Sequence, residues 1–297
     1  MTKTSQKIIF FGTEDYSLIA LKALVEAGFN IAAVVTKPDA PRGRGHKISE
    51  PPVKVYAKQH DITVWQPTTL RDISEDIKAL QPVAGVLVAY GKIIPQSTID
   101  LFQPGIINIH PSLLPRWRGP SPIEAAILQR EPETGVTIMQ LEAGMDSGPI
   151  YLQETVKLSG HETKYELYDQ LFGLGSQMLI NILPDILSGK LQPTPQNHAE
   201  ATYCQMLSKD NSLIDPTALT AVQAEAQVRA FLSFPKTRVR FGGQQIIVTK
   251  AHVSNQPKSP LSIKCSDDNY LIIDELVAPS GKTMSASSYL HGYAAGA

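Results

Sequence analysis

Apolar and polar positions follow the periods of strands and helices in turn along the first part of the chain. The mostly apolar run Lys7–Gly12 predicts a buried strand, and apolar residues at helical spacing in Tyr16–Ala27 predict a helix. Gly28 is placed to end that helix, and Ile31–Thr36 predicts a second strand. A strand, a helix and a strand in this order are the beginning of an open parallel sheet.

The pattern continues through the middle of the chain. It predicts helices over Val53–His60, Ile73–Leu80 and Pro122–Gln129, and buried strands over Ala84–Ala89 and Gly105–Ile109. Gly135–Leu141 and Ile150–Leu158 alternate apolar and polar residues, which predicts strands with one face in water. The amphipathic segment Glu162–Leu187 predicts a long helix that bends or ends near Pro184.

The character of the sequence changes after about residue 190. Leu191–Ala201 contains several prolines and amides and lacks an apolar period, which is typical of a linker. Leu219–Phe231 then has helical spacing, and Gly242-Gly243 is a hairpin signal between short β-rich segments. These segments are Thr237–Phe241, Gln245–Val253, Leu261–Cys265 and Tyr270–Val277.

Length and composition agree with two soluble globular domains. The chain has 297 residues, of which 42% are hydrophobic and 19% charged. We predict an α/β domain with a Rossmann-like, open and mostly parallel sheet over 1–190, a linker over 191–206 and a smaller β-rich, OB-like domain over 207–297. Two cysteines give no disulfide framework, and no stretch approaches the roughly 18 apolar residues of a membrane span. We therefore expect a cytoplasmic protein.

Polar side chains stand at the end of the predicted strand Gly105–Ile109. Asn108 and His110 are two positions apart, so they point to the same face of an extended chain. Asp146 lies farther along, in a turn-rich segment. An amide donor, an imidazole that titrates near neutrality and a carboxylate can stabilise a tetrahedral oxyanion and move its proton. A single histidine at a strand end is more often structural, and one histidine and one aspartate are too few for a metal site.

Basic residues cluster at two places although the formal net charge is −1. The long polar loop 38–52 contains Arg42, Arg44 and Lys47. A stretch from 229 to 250, which has no acidic residue, contains Arg238 and Arg240. Both clusters can face phosphate, although a charge run alone is more often a solvated surface. Trp117 lies between two arginines. Either these side chains bind a phosphate or stack on the ring of a ligand, or Trp117 anchors the loop and the arginines are solvated.

Taken together, these segments resemble the methionyl-tRNA formyltransferase family. Asn108–Gly119 is similar to the central signature of that family, and Ala89–Pro95 is similar to the segment that lines its folate pocket. Arg42–Gly45 resembles the loop with which the family touches the tRNA acceptor end. The resemblance covers residues 7 to about 210 well and persists weakly beyond them.

The resemblance implies transfer of a formyl group from 10-formyltetrahydrofolate to the α-amino group of methionine on initiator tRNA, without a metal. Asn108 would donate to the oxyanion, and His110 would donate to the same oxygen or pass a proton toward folate N10. Asp146 would orient the imidazole and take the amine proton. The implied folate contacts are Ser112, Leu113, Leu114, Pro115, Tyr90 and Gly91. The implied tRNA contacts are Arg42, Arg44, Lys47, Arg238 and Arg240.

Two other functions are open at this point. One is the same chemistry on another amine, such as an amino-sugar nucleotide, and the other is tRNA binding without catalysis. The chain also departs from the family pattern at three places. Glu124 stands where a neutral residue is expected, Ser147 replaces the commoner threonine, and Phe234–Thr237 lacks the expected Pro-Gly. Nothing in the sequence demands more than a monomer.

Overall fold

The structure is a computed structural model that describes residues 6–42 and 47–293, with the backbone alone at Arg42 and Lys47. The chain divides into two compact units. The first unit runs to Pro120 and includes 134–156 and 168–203, and the second contains 121–133, 157–167 and the chain from Cys204 onward. The boundaries at 190 and 206 drawn from the sequence stay a prediction.

The helices and strands alternate through the first two thirds of the chain. The strands are β1 (Lys7–Gly12), β2 (Asn30–Val35), β3 (Ala40–Arg42), β4 (Lys47–Ser49), β5 (Thr63–Trp65), β6 (Ala84–Val88), β7 (Ile106–His110), β8 (Glu133–Gln140), β9 (Ile150–Lys157), β10 (Arg238–Phe241), β11 (Gln244–Ser254), β12 (Ser262–Lys264), β13 (Tyr270–Val277) and β14 (Thr283–Ser285). The helices are α1 (Ser17–Glu26), α2 (Pro52–Gln59), α3 (Ser74–Leu80), α4 (Gln96–Ile99), α5 (Pro122–Leu128), α6 (Lys164–Leu187), α7 (Ala221–Ala230) and α8 (Ala286–Tyr293). Pro184 lies inside α6, which ends three residues later.

A seven-stranded sheet with the order β5-β2-β1-β6-β7-β8-β9 is the centre of the first unit. The pairs β5–β2, β2–β1, β1–β6 and β6–β7 are parallel, and β7–β8 is antiparallel. Ile8 through Phe11 of β1 are fully buried, as in a parallel strand covered on both faces. The chain order reverses between β1 and β6, and ligands bind open sheets of this kind at that point, outside the carboxyl ends of the strands. The prediction of a Rossmann-like, mostly parallel sheet is confirmed.

One prediction about this sheet is wrong. Strand β8 was expected to have one face in water, yet it is buried from Thr134 to Met139, whereas β9 is mostly exposed. The reason is position, because β8 lies between two strands and β9 forms the edge of the sheet. The hydroxyl of Thr137 donates to the carbonyl of Ser112 at 2.6 Å. A buried polar group with an internal partner carries little penalty, so the polar positions of β8 do not require water.

The long polar loop 38–52 contains ordered backbone. Strands β3 and β4 pair antiparallel, with Arg42 opposite Lys47. Lys54 of α2 forms ion pairs with Asp39 at 2.8 Å and with Glu50 at 3.0 Å. The hydrogen bonds from Lys54 and from the Gln66 amide hold the pKa of Asp39 below its usual value. These contacts fix the base of the hairpin on α2, while Arg44 lies outside the described residues.

The second unit contains an antiparallel sheet in which β10, β11, β13 and β12 are neighbours and β14 also pairs with β13. Gly242 and Gly243 connect β10 to β11 with φ values of 54° and 74°, which confirms the hairpin signal. Ala221, Ala224 and Val228 of α7 belong to the apolar core of this unit. The prediction of a smaller β-rich domain is confirmed.

Lys236 has a φ of 67°, in the left-handed region that favours glycine. It lies in the segment where the sequence lacks the expected Pro-Gly. We expect Lys236→Gly to raise the free energy of unfolding by about 0.5–1 kcal/mol, because relief of backbone strain exceeds the added entropy of the unfolded chain. Urea denaturation measures this difference.

Lys282→Gly is the matched control. Lys282 is also an exposed lysine of the second unit, but its φ is not in the left-handed region. There, the substitution adds unfolded-state entropy without relieving strain, so stability should fall by about 0.5–1 kcal/mol. A loss of stability at both positions would show that Lys236 is not strained.

Candidate active site

Strand β7 carries Asn108 and His110 into the interior of the first unit. They lie on one face of the strand, and they are 4% and 5% exposed. Within the described part of the chain, the Asn108 side chain has no hydrogen-bond partner. Because no described residue supplies an acceptor, the N–H groups of this amide are available to a bound molecule that does.

The His110 ring is oriented by a backbone carbonyl. Its Nε2 lies 3.1 Å from the carbonyl oxygen of Trp117. Because a carbonyl accepts and cannot donate, Nε2 carries a proton. Nδ1 lies 3.7 Å from Oδ1 of Asp146. That distance exceeds a hydrogen bond, as catalytic pairs often do before substrate arrives.

Asp146 is held in an unusual backbone conformation. Its φ is 46°, in the left-handed region, which aspartate tolerates better than most residues because its short side chain bonds locally. Its Oδ2 accepts a hydrogen bond from the backbone N–H of Gly119 at 2.8 Å. The other carboxylate oxygen thus faces His110. The structure brings together the three residues that the sequence predicted to be catalytic, and their roles stay a prediction.

The segment 112–115, predicted to border folate, is held in place by hydrogen bonds from two side chains that sequence reasoning missed. Thr137 accepts from the N–H of Leu114 at 3.2 Å, and the amide of Gln153 donates to the carbonyl of Leu114 at 2.7 Å. The Ser112 hydroxyl is buried and donates to the carbonyl of Arg116 at 2.6 Å. Ser112 therefore offers a ligand its backbone and not its hydroxyl. Both Thr137 and Gln153 lie in segments predicted to be strands, and nothing else in the sequence indicated their role.

Tyr90 and Gly91 follow β6 and have different environments. Tyr90 is buried edge-on against Phe11, with ring centroids 5.9 Å apart. Burial raises the pKa of its hydroxyl to about 12, and that hydroxyl has no hydrogen-bond partner among the described residues. Gly91 is exposed, has a φ of 71°, and would clash with the Lys37 ammonium if it carried a Cβ. The left-handed backbone favours a glycine here, and a side chain would also displace the flexible end of Lys37.

A cavity of about 500 Å³ opens at the carboxyl ends of β1 and β2. Its lining includes Thr13, Glu14, Lys37, Asp39 and Lys92. Asp39 is neutralised by its ion pair, whereas the Lys37 ammonium has no acidic partner within the described residues. The cavity does not include the three candidate catalytic residues. Strand β6 lies between β1 and β7 in the sheet.

The basic residues predicted to contact RNA have separate outcomes. Arg238 and Arg240 lie on the same face of β10; Arg238 is half-buried and donates to the Ser212 hydroxyl at 3.0 Å, and Arg240 is exposed. Arg229, from the same basic stretch, is mostly buried, paired with Glu225 at 2.8 Å and donating to the carbonyl of Glu162 at 2.8 Å. The side chains of Arg42 and Lys47, and all of Arg44, lie outside the described residues. Their contacts with RNA stay predictions.

Comparisons with known proteins identify the family. Residues 6–183 match the family model described as formyl transferase, and residues 206–294 match the formyl transferase C-terminal domain. A Chloroflexus aggregans protein named methionyl-tRNA formyltransferase is 44% identical over 250 residues, which cover 84% of this chain and 81% of that protein. The chain belongs to the methionyl-tRNA formyltransferase family. The resemblance found in the sequence is thereby confirmed.

Another member of the family and a solved structure add to this result. A Halorhodospira halophila protein of the same name is 38% identical over 298 residues, covering 96% of each chain. The N-formyltransferase of Helicobacter canadensis, solved with folinic acid and dTDP-3-aminofucose, has a TM-score of 0.69 at 20% identity and covers 90% of this chain and 98% of its own. At that identity the likeness concerns the fold alone.

Two features are absent from the described residues. They contain no group of three or more His, Cys, Asp or Glu side chains arranged to hold a metal ion. None of the described helices is long and apolar enough to cross a bilayer.

Proposed function

We propose that the protein transfers a formyl group from 10-formyltetrahydrofolate to the α-amino group of methionine on initiator tRNA. The observation that carries the proposal is the buried Asn108 amide, whose donors are unused, beside the His110–Asp146 pair in a chain of this family. The relatives named methionyl-tRNA formyltransferase support tRNA as the acceptor.

The chemistry follows from the placement of these groups. The neutral amine attacks the formyl carbon, and Asn108 donates a hydrogen bond to the oxyanion that develops. A donor held in place before the reaction needs no reorganisation, so it favours the transition state. Asp146 takes the proton that the amine loses, directly or through water. His110, with its Nε2–H fixed on Trp117, supplies a proton from Nδ1 to folate N10 as the C–N10 bond breaks. The proton that Asp146 received then passes to Nδ1 of His110, which restores both side chains, so that in sum one proton leaves the amine and one reaches N10.

The folate would lie along the two segments that follow β6 and β7. Its proposed contacts are Ser112, Leu113, Leu114, Pro115, Tyr90 and Gly91. Since the Ser112 hydroxyl and the Tyr90 ring are turned into the protein, both residues would contact folate through their backbones. The backbone of a segment fixed by Thr137 and Gln153 is a rigid surface for a flat ring system.

The acceptor end would enter from the side of the cavity. The Lys37 ammonium, which has no acidic partner among the described residues, can neutralise a phosphate there. Arg42, Arg44 and Lys47 of the adjoining hairpin, and Arg238 and Arg240 of β10, are the further proposed contacts with tRNA phosphates. Phosphate contacts of this kind make affinity fall with added salt.

A formyl-transfer assay with four acceptors tests the proposal. The acceptors are methionyl initiator tRNA, a charged elongator tRNA, an amino-sugar nucleotide and free methionine. We expect the initiator to be the preferred acceptor, and Arg42→Ala to raise the KM for tRNA while leaving folate affinity unchanged. The loss of one phosphate contact should reduce the salt slope of tRNA binding by about 1.

Arg71→Ala is the control, because Arg71 is an exposed arginine of the first unit that no proposed contact involves. If the amino-sugar nucleotide were the only acceptor that is formylated, it would replace tRNA as the proposed substrate. No turnover with any acceptor, together with salt-dependent RNA binding, would favour a non-catalytic tRNA-binding protein.

A further inference from the structure

Gln196 is a buried amide in the segment that follows α6, and it is only 6% exposed. Its Nε2 donates to the carbonyls of Asp146 at 2.8 Å and Gly148 at 2.6 Å. Its Oε1 accepts from Nε and Nη2 of Arg118 at 3.1 and 2.7 Å. A carbonyl cannot donate and a guanidinium cannot accept, so the amide has one possible orientation. Both of its N–H groups and both lone pairs are in use.

Arg118 is held as firmly as the amide that it orients. It is 2% exposed, so this arginine is neither solvated nor open to a phosphate, whereas Arg116 of the same loop is exposed. Its Nη2 lies 3.0 Å from Nδ1 of His198, and its guanidinium is 6.0 Å from the ring centroid of Tyr203. Its backbone N–H donates to the carbonyl of Thr202 at 2.9 Å. These contacts fix the loop on the segment 196–203.

The contacts of the loop converge on Asp146 from two directions. Gln196 binds the carbonyl of Asp146, and Gly119, the neighbour of Arg118 in the chain, binds the Asp146 carboxylate. Asp146 needs such support, since its left-handed backbone is held in no helix or strand. Strained conformations at functional sites persist only where the surroundings determine them fully.

We propose that Gln196, oriented by Arg118, is a positioning residue that fixes the Asp146 carboxylate against the His110 imidazole. The inference rests on the proposed role of Asp146 in formyl transfer. Gln196 does not touch the reacting atoms and acts through Asp146 alone. A displacement of a catalytic group by about 1 Å lowers turnover on the order of 10²-fold, and a loss of this size is the effect expected.

Gln196→Glu is the sharpest variant. A carboxylate keeps the volume and the acceptor for Arg118, but it cannot donate to the carbonyls of Asp146 and Gly148. We expect kcat to fall on the order of 10²-fold, while the KM values for folate and tRNA change less than about threefold. Gln192→Ala is the control, because Gln192 is an exposed glutamine in the same segment that donates only to Gly189.

A double-mutant cycle separates positioning from general support of the fold. Asp146→Asn keeps an oxygen for the Gly119 N–H and removes the carboxylate charge. If Gln196 acts through Asp146, adding Gln196→Glu to Asp146→Asn should cost less than about threefold in single-turnover rate. Gln196→Ala removes the same donors and gives an independent second measurement of turnover. Its thermal unfolding midpoint shows whether the fold is intact.

The outcomes distinguish this inference from the proposed function. Wild-type turnover in Gln196→Glu, or an equal loss from Gln196→Glu whether or not Asp146→Asn is also present, would overturn the positioning role. Normal turnover in Asp146→Asn would instead overturn the assignment of Asp146. A wild-type chain that formylates no tRNA would remove the proposed function itself.

Discussion

Asn108→Ala should lower kcat by about 10²–10³-fold, which is the loss expected when one oxyanion donor is removed. The side chain is buried in the middle of β7 and has no partner among the described residues, so its removal leaves no other group unpaired. The chain should therefore fold normally. Steady-state formyl transfer to methionyl-tRNA measures the loss, and a folate-binding titration shows that the donor site is intact.

Met139→Leu provides the matched control. Met139 is buried on β8 directly opposite Asn108, so the change alters packing at the same place without altering a donor. A volume-conserving apolar change of this kind costs less than about 1.5 kcal/mol of stability, and turnover should stay close to the wild-type value. Near-normal turnover in a folded Asn108→Ala protein would rule out the proposed oxyanion donor.

Lys164→Met should reduce the free energy of unfolding by about 3–5 kcal/mol. Lys164, at the start of α6, lies 2.7 Å from the Glu124 carboxylate of α5, and the two side chains are 7% and 4% exposed. Removing the cation leaves a buried carboxylate without its ion-pair partner, and that desolvation cost is large. Chemical denaturation of the purified variant gives the difference directly.

The double variant Lys164→Met/Glu124→Gln tests the cause of this loss. With both charges removed, most of the stability should return, because replacement of a buried ion pair by neutral groups is often close to neutral. Glu124→Gln alone should be destabilising. Independent, additive losses from the two substitutions would show that the residues do not stabilise the fold as a pair.

The sequence predicted those parts of the molecule in which local pattern and tertiary position agree. The bounds of β1 were predicted to the residue, and Asn108 and His110 were placed on one face because strand geometry alone dictates it. The half-wet prediction for β8 failed because alternation does not reveal whether a strand will be internal or at an edge. That depends on which strands pair, and no local pattern contains it.

The contacts that complete the site were beyond prediction for the same reason. Glu124 was recognised as unusual, but nothing marked Lys164 as its partner, since the pair forms only when α5 and α6 pack. Gln196 lies in a segment whose composition is typical of a linker, and its burial follows from two carbonyls and a guanidinium supplied by distant parts of the chain. Long-range polar contacts leave no periodic trace in a sequence.

The Lys37 ammonium also bears on which amines the protein would accept. It approaches Gly91, which follows β6, the neighbour of β7 in the sheet, and it has no acidic partner among the described residues. Free methionine carries the amine but no phosphate, so it cannot use this cation. A methionine esterified to a terminal nucleotide carries both groups on one molecule. A single cation would then favour the esterified amino acid over the abundant free one, without any group dedicated to rejecting the latter.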